Sequence, residues 1–437
     1  MVEGFGVRKS KPTKEASPRP DNKIRSRLKA QLTKCSTQLC EGLSKPLQRF
    51  VGEMLFGIQA SQDVKLSNIA RSLEEDIPLI KTEDRLSRHL QAKALESHLG
   101  PRLASLASRR VEANAVLCLD LSDVRKEYAE KMEYLDQVWD GSKGEVHAGY
   151  WLCSVTAAGV QGSEITPLYQ TLFSARAQDF ISENAEMLAA VDQVRMHTRG
   201  RGIWAIDRGG DRKRLLEPLL ERGERFVIRS VGQRSVINRQ RRQVPVHHLG
   251  ACCCLRYKAR VIKIEKGQER VYELRYGAEP IRLLGREEPL HLVVVAGFGK
   301  EPLLLLTNLL GVRDSQSLWW IVQIYLTRWK IEETFRFVKQ SYHLEDIRVL
   351  RYQRLKNLIL LVTAAAYFAA TFLGQKLKLK ILCEKLLIIS QRFFGIPPFR
   401  FYALADGIKK ILSRCSPSAP ADPPPKLQLE LLLGWET

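Results

Sequence analysis

Two apolar runs that close on an aspartate constrain this chain most: NAVLCLDL reaches Asp120 and GIWAIDRGGD reaches Asp207. Runs this short and apolar are buried strands. A carboxylate at the edge of a buried strand costs desolvation energy unless it is paired or binds a cation. One such aspartate is usually a turn residue or a helix cap, so neither says much alone. Between them HAGYWLCSVTA and EITPLYQTLFS read as two further strands and ENAEMLAAVDQVRMH as a helix. Helix DRKRLLEPLLERG and strand RFVIRS follow. Three strands, then helix–strand–helix–strand, predict an α/β fold: a mixed sheet with flanking helices.

A third acid comes from a helix. YLTRWKIEETFRFVKQ, Tyr325 to Gln340, reads as one continuous helix. At about 100° per residue, Tyr325, Arg328, Glu332 and Lys339 share a sector of roughly 60°. Ile324, Ile331, Phe335 and Val338 form the neighbouring sector, which is what packing on a core requires. Packing does not explain the first sector. Its plainest reading is a solvated face with Arg328 and Glu332 paired one turn apart. The chemical reading is that Glu332 joins Asp120 and Asp207. Cleavage of a phosphodiester by two divalent ions, about 4 Å apart, needs carboxylates converging from different elements. Hard oxygen ligands suit Mg²⁺ or Mn²⁺. Arg328 and Lys339 then sit where phosphates arrive, and Tyr325 can bond a phosphate or pack on a sugar.

The rest of the chain fits a nucleic-acid enzyme. A formal charge of +21 over 437 residues argues for a polyanionic partner. The nine cysteines make no framework, which points to an intracellular protein with reduced thiols. Residues 1–27 are basic and lack the apolar stretch of a secretory signal, so they read as a disordered tail. Residues 28–110 read as helical. LSNIARSL and TEDRLSRHLQ suit either a DNA-reading pair, with Arg85, Arg88 and His89 exposed, or an ordinary bundle. Residues 232–300 are β-rich, with a hairpin turning near Lys266–Gln268. RSVINRQRRQ, with Arg234, Arg239, Arg241 and Arg242, suits phosphate contact or a solvated face. VHHLGACCCL lacks paired zinc-ligand spacing and reads as a buried strand. Leu358–Gly374 carries no charge and is at the lower length limit for a membrane span, but its alanines suit a buried helix equally. Residues 376–437 read as helical up to a Pro-rich linker and tail.

Tyr-x2-Arg-x3-Glu-x6-Lys at Tyr325, Arg328, Glu332 and Lys339 resembles the signature of insertion-sequence transposases of the family numbered four. The likeness covers about residues 60–375. It implies a ribonuclease H-like catalytic core, residues 111–375 here, with a β-rich insertion between the second Asp and the Glu. It also implies a helical N-terminal DNA-binding domain. Carried over, Asp120, Asp207 and Glu332 are the catalytic, metal-binding triad. Tyr325, Arg328 and Lys339 contact transposon-end DNA, and Arg208 touches phosphate or braces the site. Asp123, Asp211 and Glu333 are rivals in sequence; Asp123 reads as a turn residue, and Glu333 lies about 100° off the Glu332 direction. The resemblance further implies two Mg²⁺ ions with Mn²⁺ as substitute, terminal inverted repeats and target DNA as partners, a homodimer on DNA, and a place in a prokaryotic cytoplasm at the nucleoid. Some members hold a flipped base on a Trp of the insertion. Residues 233–310 contain none, which leaves Tyr257, Tyr272, Tyr276, Phe298, Trp319 or Trp320 to offer a stacking face.

Overall fold

The computed structural model describes residues 20–413 apart from 142–143, 161, 163, 266–267, 312–313 and 390–400. The cations at 8–14, the turn of the 259–277 hairpin and the Pro-rich tail lie outside the described residues. Five helices come first: Pro20–Cys40 (α1), Lys45–Ser61 (α2), Leu66–Leu73 (α3), Leu79–His89 (α4) and Lys93–Ser108 (α5). Helix α1 thus starts inside the stretch expected as a tail. Proline suits a first helical position, where its missing N–H is not needed.

Then come Val116–Arg125 (β1), Asp136–Asp140 (β2), Glu145–Ala158 (β3), Ile165–Phe173 (β4), Glu183–Thr198 (α6), Ile203–Ile206 (β5), Lys213–Glu221 (α7) and Phe226–Arg229 (β6). Strands β4, β3 and β1 are antiparallel neighbours, and β5 and β6 run parallel to β1. The order β4-β3-β1-β5-β6, with those directions, is a ribonuclease H-like core. Only β2 was not foreseen; it pairs with the N-terminal part of the long β3.

The segment after β6 contains Ser235–Ile237 (β7), Gln243–Pro245 (β8), Val246–Cys252 (α8), Tyr257–Glu265 (β9), Gln268–Leu283 (β10), Leu290–Ala296 (β11) and Leu303–Thr307 (β12). It extends the core sheet: β12 pairs β6, β11 pairs β12 and β10 pairs β11, making one sheet of twelve strands among the described residues. VHHLGACCCL is a short helix rather than a strand. Pro245 caps its start in an extended conformation, and Gly250 lets Leu304 pack where a Cβ would meet it at 2.5 Å.

Ser315–Thr327 (α9) lies on one sheet face; Trp329–Ser341 (α10) starts there with Ile331 and Phe335 and carries Phe337 and Val338 into the opposite cluster. Tyr352–Tyr367 (α11), Gln375–Ile389 (α12) and Phe401–Leu412 (α13) follow. The N-terminal helices share one hydrophobic cluster with α11, α13 and the other sheet face. Buried polar bonds fasten them: Gln59 Nε2 donates to Ala365 O at 2.7 Å, and Asn357 Nδ2 to Leu90 O at 2.7 Å. Helix α11 and the π-helical turn after it are long and apolar enough to cross a membrane, yet 83% of the most apolar stretch is buried inside the protein. Arg85 is not free either; it pairs with Glu53 at 2.5 Å and Glu75 at 2.8 Å, while Arg88 is exposed.

Candidate active site

Parity along the strands decides which way the aspartates point. Val116, Cys118, Ile203 and Ala205 belong to the cluster under α9 and α10; Leu117, Leu119, Trp204 and Ile206 belong to the opposite one. Side chains alternate along a strand. Asp120 and Asp207, two residues beyond Cys118 and Ala205, therefore face α9 and α10. Register sets them side by side. The last parallel pair of β1 and β5 is Leu119 with Ile206, and the two aspartates come next. This is the carboxyl edge of parallel strands, where open α/β sheets bind ligands. Strand β1 itself continues to Arg125, because the long β3 keeps pairing with it. Asp123 is thus a strand residue opposite Trp151, not a turn residue.

The expected single helix is two helices that meet at Arg328. Thr327 Oγ1 bonds back to Gln323 O at 2.8 Å. Arg328 N and Ile331 N make bonds of the tighter i to i−3 kind, to Tyr325 O and Arg328 O. Such back-bonding competes with the regular ladder. The guanidinium, its side chain only 6% exposed, enters among the acids. It approaches Asp120 Oδ2 at 3.1 Å, Glu332 Oε1 at 2.9 Å and Asp207 Oδ2 at 3.9 Å. The Tyr325 hydroxyl donates to Asp207 Oδ1 at 2.9 Å. Arg229, at the end of β6, lies 3.6 Å from the same oxygen; sequence reasoning passed over it, although it stands on the next parallel strand.

The electrostatics separate the two aspartates. Burial pushes the Asp120 carboxyl up to about 6; Arg328 and the Leu121 amide pull it down, while Asp207 and Glu332 add to the rise. Burial acts on Asp207 too, but Arg328, the Arg208 amide, Tyr325 and Arg229 together bring it below its ordinary value. Burial works against the Arg328 charge as well, yet the acids around it raise its value. The Tyr325 phenol, buried beside Asp207, is pushed up to about 12 and stays a donor.

The other candidates separate cleanly. Lys339 is not with the triad; its Nζ lies 3.2 Å from Asp123 and 3.5 Å from Glu345. Tyr325, Arg328 and Lys339, expected on DNA, therefore all rest on carboxylates of the chain itself. Arg208 is exposed in a 3₁₀ turn directly after Asp207. Glu333 sits elsewhere, half-buried near Lys330 and Arg336. Asp211 is a structural anchor that accepts from Ser230 Oγ, Val231 N and Arg234 Nε at 2.6–2.8 Å. Arg239, Arg241 and Arg242 are exposed at the β7–β8 turn. The aromatic side chains of the insertion pack on one another: Tyr276 meets Tyr257 and Trp319, each at 5.7 Å between ring centres, and Tyr272 meets Phe298 at 5.5 Å.

Residues 115–368 match the family model described as "Transposase DDE domain". The chain belongs to that family. The match runs from the start of β1 into the turn after α11, so this transposase domain contains the whole sheet and both helices at the acids. One similar solved structure is a cryo-EM structure of a piggyBac transposase synaptic complex with hairpin DNA, with 11% identity, 92% of this chain and 82% of that chain covered, and a TM-score of 0.45. No curated protein matches the chain.

The donor chemistry of the site suits a divalent metal ion. Three carboxylates from separate elements converge on a single guanidinium, and Arg328 Nε is buried with no partner. Carboxylate oxygens are the ligands hard cations take. Among the described residues, however, no three His, Cys, Asp or Glu side chains are gathered closely enough to hold an ion as they stand. The guanidinium lies between them.

Proposed function

We propose that this chain is a DNA transposase of the cut-and-paste kind, within the insertion-sequence family numbered four. The observation that carries the reading is the convergence of Asp120, Asp207 and Glu332, from β1, β5 and α10, at the carboxyl edge of a ribonuclease H-like sheet. Gathered around a common point, the three carboxylates would hold two Mg²⁺ ions, with Mn²⁺ as substitute. Bound there, such ions would activate the attacking oxygen and stabilise the leaving one. The residues around them handle the substrate. Tyr325, Arg328 and the exposed Arg208 line up transposon-end phosphates beside the triad, Lys339 contacts that DNA farther along, from its place against Asp123 and Glu345, and Arg229 steadies Asp207. Closed around DNA, the acid edge aligns the scissile phosphate with the incoming oxygen. In the first step water attacks phosphorus and the 3′ oxygen leaves as a hydroxyl. In the second that hydroxyl attacks a target phosphodiester and displaces the target's own 3′ oxygen. Joining two ends at one target calls for a homodimer on the terminal repeats. We place the protein at the nucleoid of a prokaryotic cytoplasm.

The test is to incubate the protein and Mg²⁺ with duplexes carrying the gene's flanking ends and with a target plasmid. The expected result is end cleavage followed by covalent joining of 3′ ends to the plasmid. Cleavage with no joined product makes the protein a nuclease, and binding with no cleavage makes it a DNA-binding relic; either overturns the proposal.

A further inference from the structure

We infer that Arg328 is the charge that keeps the acid triad assembled before metal loading, and that it competes with the metal for the same carboxylates. This rests on the metal-site reading above. Three negative side chains meet at one edge of the sheet, two from strand ends and one from α10, and unpaired they would repel one another. One guanidinium reaches all three, with contacts of 2.9, 3.1 and 3.9 Å. It is fixed from behind, its side chain buried and its carbon 5.8 Å from the centre of the Tyr325 ring. It also belongs to the joint between α9 and α10, where the helical ladder is interrupted. As they stand, the acids are gathered around nitrogen and not around a common vacant point. A cation entering this cluster must displace at least part of the guanidinium. The unpartnered, buried Nε shows that Arg328 does not fill its own bonding capacity here. Arg328 is thus a positioning residue that lowers metal affinity in the absence of DNA.

The experiment measures Mn²⁺ binding to the DNA-free full-length protein by calorimetry and by the loss of the free-ion electron spin resonance signal. Wild type is compared with Arg328→Gln, Arg328→Lys and Glu332→Ala. Arg328→Gln is expected to bind Mn²⁺ about tenfold more tightly than wild type, which corresponds to about 1.4 kcal/mol. Arg328→Lys keeps the charge and is expected to stay near wild type; Glu332→Ala is expected to bind more weakly. Melting temperatures give a second readout. Without metal, Arg328→Gln should melt below wild type, and saturating Mn²⁺ should restore it. Equal or weaker Mn²⁺ binding by Arg328→Gln, with Glu332→Ala weakened, overturns this inference and leaves the metal site standing. No Mn²⁺ binding by any of the four proteins overturns the metal site itself.

Discussion

Of the two strand-end aspartates, Asp120 is the one that burial holds above its ordinary value, while Asp207 falls below its own. Burial lifts the Asp120 carboxyl to about 6, against an ordinary 3.8. The folded chain therefore holds this proton more firmly than the unfolded one, and ionising Asp120 costs stability. The penalty is absent below pH 3.8, grows as pH rises, and is complete above about 6. Asp120→Asn removes the titrating group. Relative to wild type, this variant should gain on the order of 2 kcal/mol as pH rises through that window. Urea unfolding of metal-free protein at the two ends of the window measures it; a constant difference would contradict the assignment. At this scale the sequence singled out three acids that the fold brings to one guanidinium, and was silent about their neighbours. Helical spacing placed Arg328 one turn from Glu332, and that pair is present at 2.9 Å. It gave no way to know that the same guanidinium reaches Asp120, because that contact depends on how the helix crosses the sheet.

Single elements were legible where their hydrophobic period was strong. Strands β1, β3, β4, β5 and β6 and helix α6 lie where their patterns put them, and Ile324, Ile331, Phe335 and Val338 are buried as expected. Failures came where local chemistry outweighs period. The α9–α10 joint falls at Arg328, where backbone bonds tighten to the i to i−3 kind, and α8 follows a proline and carries a glycine that lets its turn fit against Leu304. The insertion is tied to the core by Asp211, whose side chain is 2% exposed and accepts from three donors. Asp211→Ala leaves Arg234 without its carboxylate in a largely buried place. It should destabilise the protein by about 3 kcal/mol, measured as a lower urea midpoint at constant m-value. A change below about 0.5 kcal/mol, the size ordinary surface substitutions produce, would show that the anchor is dispensable.

The whole molecule joins one continuous sheet to helices on both faces, and the acids emerge where its parallel strands end. Alternating layers were readable from the order of strands and helices. That the β-rich segment extends the same sheet was not, since edge pairing leaves no local mark in a sequence. Nor did composition decide the fate of the apolar stretch at Leu358–Gly374; burial against the N-terminal helices and β4 did. The formal charge of +21 concerns partners and not fold. If catalysis sits on Asp120, Asp207 and Glu332, it is lost with Glu332 and not with its neighbour. The experiment is Mg²⁺-dependent cleavage of DNA carrying the gene's ends by wild type, Glu332→Ala and Glu333→Ala, with DNA binding followed in parallel. Glu332→Ala should bind DNA but lose cutting by about 10³-fold or more, about 4 kcal/mol of barrier, while Glu333→Ala cuts like wild type. Undiminished cutting by Glu332→Ala would place catalysis on other residues.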